Sequence, residues 1–445
     1  MEFGELPAVD ALADALASNT SLPRVVLLHC SRLAIDTARE TIRSGGDADP
    51  TMIAAECLAD IEAGRPRSVV NATGVLLHTN LGRAPMNRTV SEVSAEIAST
   101  ASNVEIDLRT GKRSSRSTYL RTLLPLVTGA EDGFAVNNNA GALLLALASV
   151  PGLRRVAVSR GEMIEIGGSF RLPDLMAASG ATLVEVGTTN RTRLSDYEAV
   201  AGSVDAILKV HPSNYRVEGF QEEASYGDLG VLAHANSIPF IADVGSGLID
   251  ETAPWLGDGE RTWLAGEPGV LQTIASGADL VLFSGDKLFG GPQAGIIVGL
   301  ADAVERAAGH PIARAVRLDG STIASVCETL QMYSDQRVLE IPFWAMASAP
   351  VNTIDTRAMA VLDGSSGGRV VDGASLPGAG SVPGATIPTR LIELRGAADT
   401  TWTALAQHDP PVIATRRDMS TFIDLRSVLP DDDVLVAEAI RTVLN

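Results

Sequence analysis

The spacing of apolar residues divides this chain into three parts. Up to about residue 63 they recur with a helical period, and a polar run at 44–50 separates two helices, the second of which we expect Thr51 to cap. From about 69 to 300, short apolar runs alternate with helical stretches. Beyond about 301, helices come first, and a Gly-rich stretch at 363–388 leads into two more strand-like segments.

The middle part carries the strongest pattern. Its predicted strands are the apolar runs at 134–138, 155–159, 182–187, 205–211, 239–245, 279–285 and 294–299. They are continuous rather than alternating, as expected when helices cover both faces of a parallel sheet. The sequence therefore predicts an α/β fold with a doubly wound, mostly parallel sheet. The predicted domains are a small helical N-terminal domain (1–65), the sheet domain (66–305) and an α+β C-terminal domain (306–445).

Composition narrows the function classes. The 445 residues carry a formal net charge of −19, which does not suit a protein that coats nucleic acid, so an RNA partner would have to meet a local basic patch. The acidic N-terminus does not resemble a signal peptide, and no apolar run approaches the roughly 18 residues of a membrane span. Three scattered cysteines without a C-x-x-C pair predict a reducing, cytoplasmic location and no metal site.

Chemistry is expected where the strands end, because open parallel sheets bind ligands at the carboxyl ends of their strands. Polar residues follow four of these ends: Asn137, Asn138 and Asn139; His211, Ser213 and Asn214; Asp243; and Ser284, Asp286 and Lys287. The asparagines would either bind a phosphate at a helix N-terminus or cap that helix. Asp243 would either pair with a ligand or polar group, or begin a turn.

Only three of the 35 Lys and Arg residues are lysines. Lys112 lies in a polar run and Lys209 inside a strand, whereas Lys287 lies between a strand end and a Gly-rich turn. The phosphate-loop pattern G-x-x-x-x-G-K-[ST] is absent, as is G-x-G-x-x-G at any strand-to-helix turn. Pyridoxal 5′-phosphate requires an amine for a Schiff base, an acid at the pyridine nitrogen and a phosphate grip. We therefore predict this cofactor, attached to Lys287.

Six motifs resemble those of the bacterial selenocysteine synthase, or L-seryl-tRNA(Sec) selenium transferase, family, and they stand in the family's order. They are VVNATGVLLHTNLGRAP (69–85), AVNNNAGALLL (135–145), VSRGEMIEIGGSFRLPD (158–174), EVGTTNRT (185–192), KVHPSNY (209–215) and SGDKLFGGPQAGIIVG (284–299). The resemblance, which covers nearly the whole chain, implies the aspartate-aminotransferase fold type. It also implies that seryl-tRNA(Sec) loses its Cα proton and hydroxyl and gains selenium from selenophosphate, giving selenocysteinyl-tRNA(Sec).

The resemblance implies roles for individual residues. Lys287 would form the Schiff base, Asp243 would face the pyridine nitrogen, and Asp286 would position neighbouring groups or transfer a proton. The resemblance also implies that Asn138, Asn139 and Ser284 contact the phosphate and that Asn214 contacts the ring hydroxyl. His211, Arg160 and Glu162 are three candidates for the residue that stacks on the cofactor ring. The implied contacts to an anionic selenium donor are Arg83, Arg314 and Arg317.

Two features depart from the family pattern. The helical N-terminal domain resembles the family's tRNA-binding domain but is shortened and acidic, with 11 Asp and Glu against 6 Arg and no Lys in residues 1–70. Gly320 stands where relatives usually carry a lysine, which bears on one substrate contact. The clearest basic run, RTGKRSSR (109–116), would face the cofactor or the acceptor arm of a tRNA.

Two other functions stay open on the sequence. A lyase acting on a small amino or amino-sugar acid would share the fold, although such relatives typically lack the helical N-terminal domain. A non-catalytic RNA-binding relative would have no need of Lys287 and Asp243. For the selenium transferase, the resemblance further implies a homo-oligomer built from dimers, commonly a decamer.

Overall fold

The computed structural model describes residues 3–166, 170–257, 261–264, 266–362, 367–378 and 380–444. The chain divides into two compact units, Met1–Ser68 and Val69–Asn445. The finer boundaries at 65/66 and 305/306 stay predictions of the sequence.

The described α-helices of the first unit are α1 (Val9–Leu16), α2 (Arg24–Arg43) and α3 (Pro50–Ala63). Apolar residues from all three, such as Leu12 and Ile35, form its core. The prediction that Thr51 caps the third helix is wrong. The side chain of Asp49 accepts a hydrogen bond from the Thr51 backbone N–H (2.8 Å), and Pro50 begins the helix, where a missing N–H leaves no bond unmade.

The second unit holds the other elements. Its described strands are β1 (Val70–Asn71), β2 (Val75–Leu77), β3 (Ile106–Asp107), β4 (Lys112–Arg113), β5 (Asp132–Val136), β6 (Arg155–Ser159), β7 (Glu165–Ile166), β8 (Phe170–Arg171), β9 (Thr182–Val186), β10 (Ala206–Val210), β11 (Phe240–Gly245), β12 (Leu280–Ser284), β13 (Gly295–Gly299), β14 (Gly368–Gly378), β15 (Ile387–Arg395), β16 (Val412–Ile413), β17 (Thr415–Arg417) and β18 (Ser420–Asp424). Its described α-helices are α4 (Arg88–Ser99), α5 (Leu120–Thr128), α6 (Asn139–Ala148), α7 (Leu172–Ala178), α8 (Leu194–Ala201), α9 (Tyr226–Ala235), α10 (Val270–Ala275), α11 (Ala301–Gly309), α12 (Pro311–Ala315), α13 (Gly320–Ser334), α14 (Pro342–Ser348), α15 (Val351–Leu362), α16 (Ala398–Gln407) and α17 (Asp433–Leu444).

The central sheet contains, in the described part of the chain, seven strands in the order β5-β13-β12-β11-β10-β6-β9. Strand β13 is antiparallel to both neighbours, and the pairs from β12 to β9 are parallel. All seven strands predicted in the middle part are present, with ends shifted by at most two residues. The predicted α/β class with a mostly parallel sheet is confirmed. Because β5, β10, β11 and β12 run in one direction, their carboxyl ends share one edge.

Helices cover both faces of this sheet, which explains why its strands are apolar without alternation. Ile241 and Leu282 contribute to a hydrophobic cluster that includes residues of α6, α7 and α11. Their neighbours Ala242 and Val281 contribute to a second cluster, which includes residues of α5, α9 and α13. Burial on both faces fixes the register of the strands, and with it the positions of the residues at their ends.

A second sheet, five-stranded within the described residues, has the order β17-β18-β15-β14-β2. The Gly-rich stretch contributes β14, which pairs antiparallel with β15, while residues 363–366 and 379 of that stretch lie outside the described part. Strand β2 pairs with β14 and β1 with β16, so the start of this unit is built into its C-terminal part. Among the described helices, none combines the length and apolar character that a bilayer crossing requires.

Candidate active site

A cavity of about 270 Å³ lies at the sheet edge where the predicted site residues converge. Eight of those residues line it: Arg83, Asn138, Asn139, His211, Asp243, Ser284, Asp286 and Lys287. We refer to it as the Lys287 cavity. Ser213, one of the polar residues expected at a strand end, also lines it, as does Gln293, for which we made no prediction. The parallel topology therefore brings together side chains that are up to about 200 positions apart.

Lys287 lies in the turn that follows β12 and is only 5% exposed. Within the described residues, its Nζ atom makes no hydrogen bond and no ion pair. The turn itself is fixed by backbone hydrogen bonds, among them Leu288 N–H to Ser246 O (2.8 Å) and Gly291 N–H to Gly285 O (2.8 Å). The protein thus holds this amine by its backbone and leaves its nitrogen unpartnered.

The glycines around Lys287 are required by close packing of the protein on itself. A Cβ atom on Gly285 would lie 2.5 Å from the carbonyl oxygen of Pro292. Gly290 has a φ of +75°, and a Cβ there would collide with the side chain of Ile341. The Gly-rich turn therefore sets the position of the lysine rather than forming a nucleotide-binding loop.

Arg83 and Asp286 form an ion pair beside the amine, with Arg83 Nη1 donating to Asp286 Oδ2 (2.9 Å). Burial, and after it the charge of Arg83, lower the pKa of Lys287 below its ordinary value, and the charges of Asp243 and Asp286 do not outweigh them. A lowered pKa increases the fraction of unprotonated amine, which is the form that attacks a carbonyl carbon.

Asp243 is buried on β11, two residues before a glycine with positive φ. Its Oδ1 atom accepts hydrogen bonds from Asn139 Nδ2 (2.8 Å) and from Gly245 N–H (3.0 Å). Burial raises the pKa of Asp243, while these two bonds and the charge of Lys287 oppose the rise. A protonated ring nitrogen in the cavity would favour the ionised carboxylate further.

Helix α6 begins at the cavity and offers a site for an anion. Asn138 caps it, because its side-chain oxygen accepts a hydrogen bond from Gly141 N–H (2.8 Å). The next two backbone N–H groups, of Asn139 and Ala140, have no partner inside the helix, and both residues line the cavity. The side-chain oxygen of Asn139 is buried without a hydrogen-bond partner among the described residues. The N–H groups of Asn139 and Ala140 fit the phosphate of pyridoxal 5′-phosphate, whereas the Asn139 side-chain oxygen is an acceptor and would face a donor. Lys287 and Asp243 fit the aldehyde carbon and the ring nitrogen of the cofactor.

Of the three candidates for stacking on a cofactor ring, the structure brings His211 into the cavity. Arg160 pairs instead with Glu185 (Nε to Oε2, 2.7 Å), and Glu162 pairs with Lys209 (Oε1 to Nζ, 2.9 Å). Three other predicted site residues also lie outside the residues that line the Lys287 cavity. These are Asn214, whose side chain donates to the backbone carbonyl of Glu165, and Arg314 and Arg317, whose side chains are exposed.

Glu267 is a buried residue of the site region that the sequence did not reveal. Its Oε2 atom lies 3.2 Å from His211 Nε2, and its side chain is 1% exposed. It stands in a loop before α10, at no strand end and in no motif, so no sequence signal pointed to it.

Gly320 and the basic run 109–116 both lie outside the cavity lining. Gly320 is the first residue of α13, and a Cβ there would lie 3.0 Å from Val104 Cγ2, so a larger residue would require Val104 to move. In the basic run, Lys112 is exposed on β4, whereas Arg116 donates to Glu105 Oε1 (2.6 Å). Neither of these two cations is among the residues that line the cavity.

We compared the chain with known protein families, sequences and structures. Residues 69–429 match the model of the L-seryl-tRNA selenium transferase family. The chain is 41% identical to an L-seryl-tRNA(Sec) selenium transferase of Solidesulfovibrio magneticus over 98% of this chain and 97% of the relative, and 40% identical to one of Nitratidesulfovibrio vulgaris over 100% and 99%. Among solved structures, a D-glucosaminate-6-phosphate ammonia-lyase shares the fold, with a TM-score of 0.60 and 18% identity over 87% of this chain and 98% of that chain.

Proposed function

The chain belongs to the L-seryl-tRNA selenium transferase family, and we propose that it converts seryl-tRNA(Sec) to selenocysteinyl-tRNA(Sec) with pyridoxal 5′-phosphate as its cofactor. The observation that carries the proposal is the meeting of three groups in one cavity: the buried amine of Lys287, the Asp243–Asn139 pair and the N-terminus of α6. Together they supply what this cofactor needs, and the family match supports seryl-tRNA(Sec) as the substrate.

When bound, the cofactor supplies an electron sink for the Cα–H bond of a seryl group. Lys287 would hold the cofactor, and its amine is placed to take up the Cα proton of the seryl group. Asp243 would keep the ring nitrogen protonated, and Asn139 orients Asp243 through the 2.8 Å hydrogen bond. The first turn of α6 would hold the phosphate through its backbone N–H groups, and Ser284, which lines the same cavity, would be a further donor.

Arg83 provides the positive charge for the anionic selenium donor. It is 26% exposed at the side chain and lines the cavity, and its pairing with Asp286 fixes the guanidinium near the lysine. Asp286 in turn holds the Arg83 guanidinium in place through this ion pair. Selenophosphate as the donor, a tRNA-binding role for the N-terminal helices, homo-oligomeric assembly and a cytoplasmic location stay predictions from the sequence.

The cofactor site can be tested by chemical trapping. The purified chain is incubated with pyridoxal 5′-phosphate, reduced with borohydride and digested, and the peptides are analysed by mass spectrometry. We expect the cofactor mass on the peptide that contains Lys287. Lys112, which is exposed, and Lys209, which is buried, are controls within the same molecule. Labelling at Lys209, or at none of the three lysines, would contradict the site.

The reaction is tested separately with seryl-tRNA(Sec) and selenophosphate. The amino acid released from the tRNA after reaction is identified by mass spectrometry, and we expect selenocysteine to appear in place of serine. Cofactor on Lys287 without selenium transfer, combined with ammonia release from an amino-sugar acid, would instead identify the chain as a lyase.

A further inference from the structure

A buried carboxylate connects two segments that border the Lys287 cavity. Glu267 Oε2 lies 3.2 Å from Nε2 of His211, and the same oxygen accepts a hydrogen bond from the backbone N–H of Val382 (3.1 Å). Its second oxygen, Oε1, is buried with no hydrogen-bond partner among the described residues. Because a carboxylate oxygen accepts, Nε2 of His211 is the donor in this contact.

Both partners of Glu267 contact the machinery of the cavity. His211 lines it, and its backbone N–H donates to the carbonyl of Asp243 (2.8 Å). Val382 belongs to the segment 380–385, which begins against the lysine: a Cβ on Gly380 would lie 3.3 Å from Lys287 Nζ. One carboxylate therefore connects the strand end that carries His211 with the segment that covers the amine.

The segment 380–385 needs such an anchor because its backbone is strained. Val382 has a φ of 47°, and a β-branched side chain strongly disfavours this left-handed conformation. Such a conformation persists when surrounding contacts hold it in place. Residue 382 is buried, and its N–H is satisfied by Glu267. Loss of that acceptor would remove a contact that holds the strained residue.

We propose that Glu267 is a positioning residue of the active site, which holds the His211 ring and the 380–385 segment in the arrangement that encloses Lys287. The required property is the reach of its side chain, since a single oxygen must meet both partners at once. The consequence for turnover rests on the proposed function, whereas the consequence for the backbone does not.

Two substitutions of Glu267 distinguish the effect of its side-chain length from the effect of its charge. Glu267→Asp keeps the charge but shortens the side chain by one methylene, so it cannot meet both partners. Glu267→Gln keeps the length and an acceptor oxygen but removes the charge. A control away from the cavity is Asp279→Asn, because Asp279 also contacts a histidine and a backbone N–H, with one oxygen for His234 Nε2 (3.2 Å) and the other for Phe240 N–H (2.6 Å).

The first measurement is amide hydrogen exchange of the full-length protein before and after loading with pyridoxal 5′-phosphate. We expect Glu267→Asp to speed exchange in the peptide covering 380–385 by about fivefold or more, the loss associated with one hydrogen bond, and to leave the peptide covering β11 unchanged. Glu267→Gln and Asp279→Asn should stay within about twofold of wild type in the 380–385 peptide.

The second measurement is steady-state selenium transfer. Glu267→Asp should lower kcat by about 10- to 100-fold, with the KM for seryl-tRNA(Sec) changed by less than about twofold, because misplaced groups slow the chemical step rather than binding. Glu267→Gln should retain most of the activity. The proposal fails if Glu267→Asp behaves like wild type in exchange, if it speeds exchange throughout the protein, or if Glu267→Gln is the more impaired variant. Absence of turnover in wild type would overturn the proposed function and leave the exchange result to decide on Glu267.

Discussion

Lys209 on β10 and Lys287 after β12 are buried to a similar degree, 3% and 5% exposed, in neighbouring parts of one sheet. The Nζ atom of Lys209 lies 2.9 Å from Glu162 Oε1 and 3.0 Å from Glu223 Oε2. By contrast, the Nζ of Lys287 has no ion-pair partner in the described part of the chain. The two sites therefore differ in their partners and hardly at all in their burial.

The different partners shift the pKa values of the two amines in opposite directions. Burial alone would lower the pKa of Lys209, but the charges of Glu162 and Glu223 outweigh it, and the pKa lies above its ordinary value. For Lys287, burial and the charge of Arg83 act together, and the pKa is lowered. A buried lysine is thus kept as a cation when carboxylates pair with it directly, and it is more easily deprotonated when they lie nearby without pairing.

The largest effect is expected from Lys287→Arg. This substitution keeps the positive charge but removes an amine that can form an imine, so cofactor attachment and selenium transfer should fall by at least about 10³-fold. Trapping with borohydride and the turnover assay measure the two losses. Lys112→Arg, at an exposed site, is the matched control. If Lys209 took up the cofactor in the variant, the distinction between the two buried lysines would be wrong.

Lys209→Met should act on stability instead. It leaves Glu162 as a buried carboxylate without its partner, which costs about 3–5 kcal/mol of the free energy of unfolding. Urea denaturation of the cofactor-free protein measures this loss. The double variant Lys209→Met with Glu162→Gln should recover part of it, because no uncompensated charge remains. An equal loss in the single and double variants would show that the ion pair is not the cause.

A smaller effect is expected from Arg83→Gln. The substitution removes a positive charge near Lys287 and frees Asp286 from its ion pair, and both changes raise the pKa of Lys287. At neutral pH less unprotonated amine is then present, and each unit of rise slows cofactor attachment about tenfold.

The attachment rate measured against pH should therefore shift toward higher pH in this variant. Arg160→Gln, which breaks a pair with Glu185 elsewhere, should leave the profile in place. A shift of the Arg83→Gln profile toward lower pH would contradict the assignment of Arg83.

The sequence predicted the position of Lys287 at a strand end beside a cavity, but not the ion pairs of Lys209. Lys287 was predictable because it follows a buried strand and precedes a Gly-rich turn, and a strand end in a parallel sheet is a known place for ligands. The pairing of Lys209 with Glu162 was not, because it joins two strand ends 47 positions apart and depends on where their side chains point.

The roles of Glu267, Arg314 and Arg317 likewise could not be predicted, because they too depend on where side chains point in the folded protein. Glu267 acts from a loop whose position depends on tertiary packing. Arg314 and Arg317 lie close to the site in sequence motifs, but both side chains are exposed, and Arg317 has Glu105 as its neighbour (Nη1 to Oε1, 3.7 Å). Strand periodicity predicts which backbone positions converge. It does not predict the direction of long, charged side chains at those positions.

The smallest effect we expect is a difference between the two lysines in how the stability of the cofactor-free protein depends on pH. The ordinary lysine pKa is about 10.5, and folding lowers it for Lys287. The unfolded chain then binds more protons than the folded one, so Lys287 reduces stability below its folded pKa, and this penalty disappears as the pH rises toward 10.5. Lys287→Met should therefore be more stable than wild type at neutral pH, by a margin that shrinks with rising pH.

Lys209 has a raised pKa, so its stabilising contribution is complete below pH 10.5 and is lost above it. The deficit of Lys209→Met should accordingly stay constant from pH 7 to 10, and parallel pH profiles for the two variants would show that the two amines do not differ.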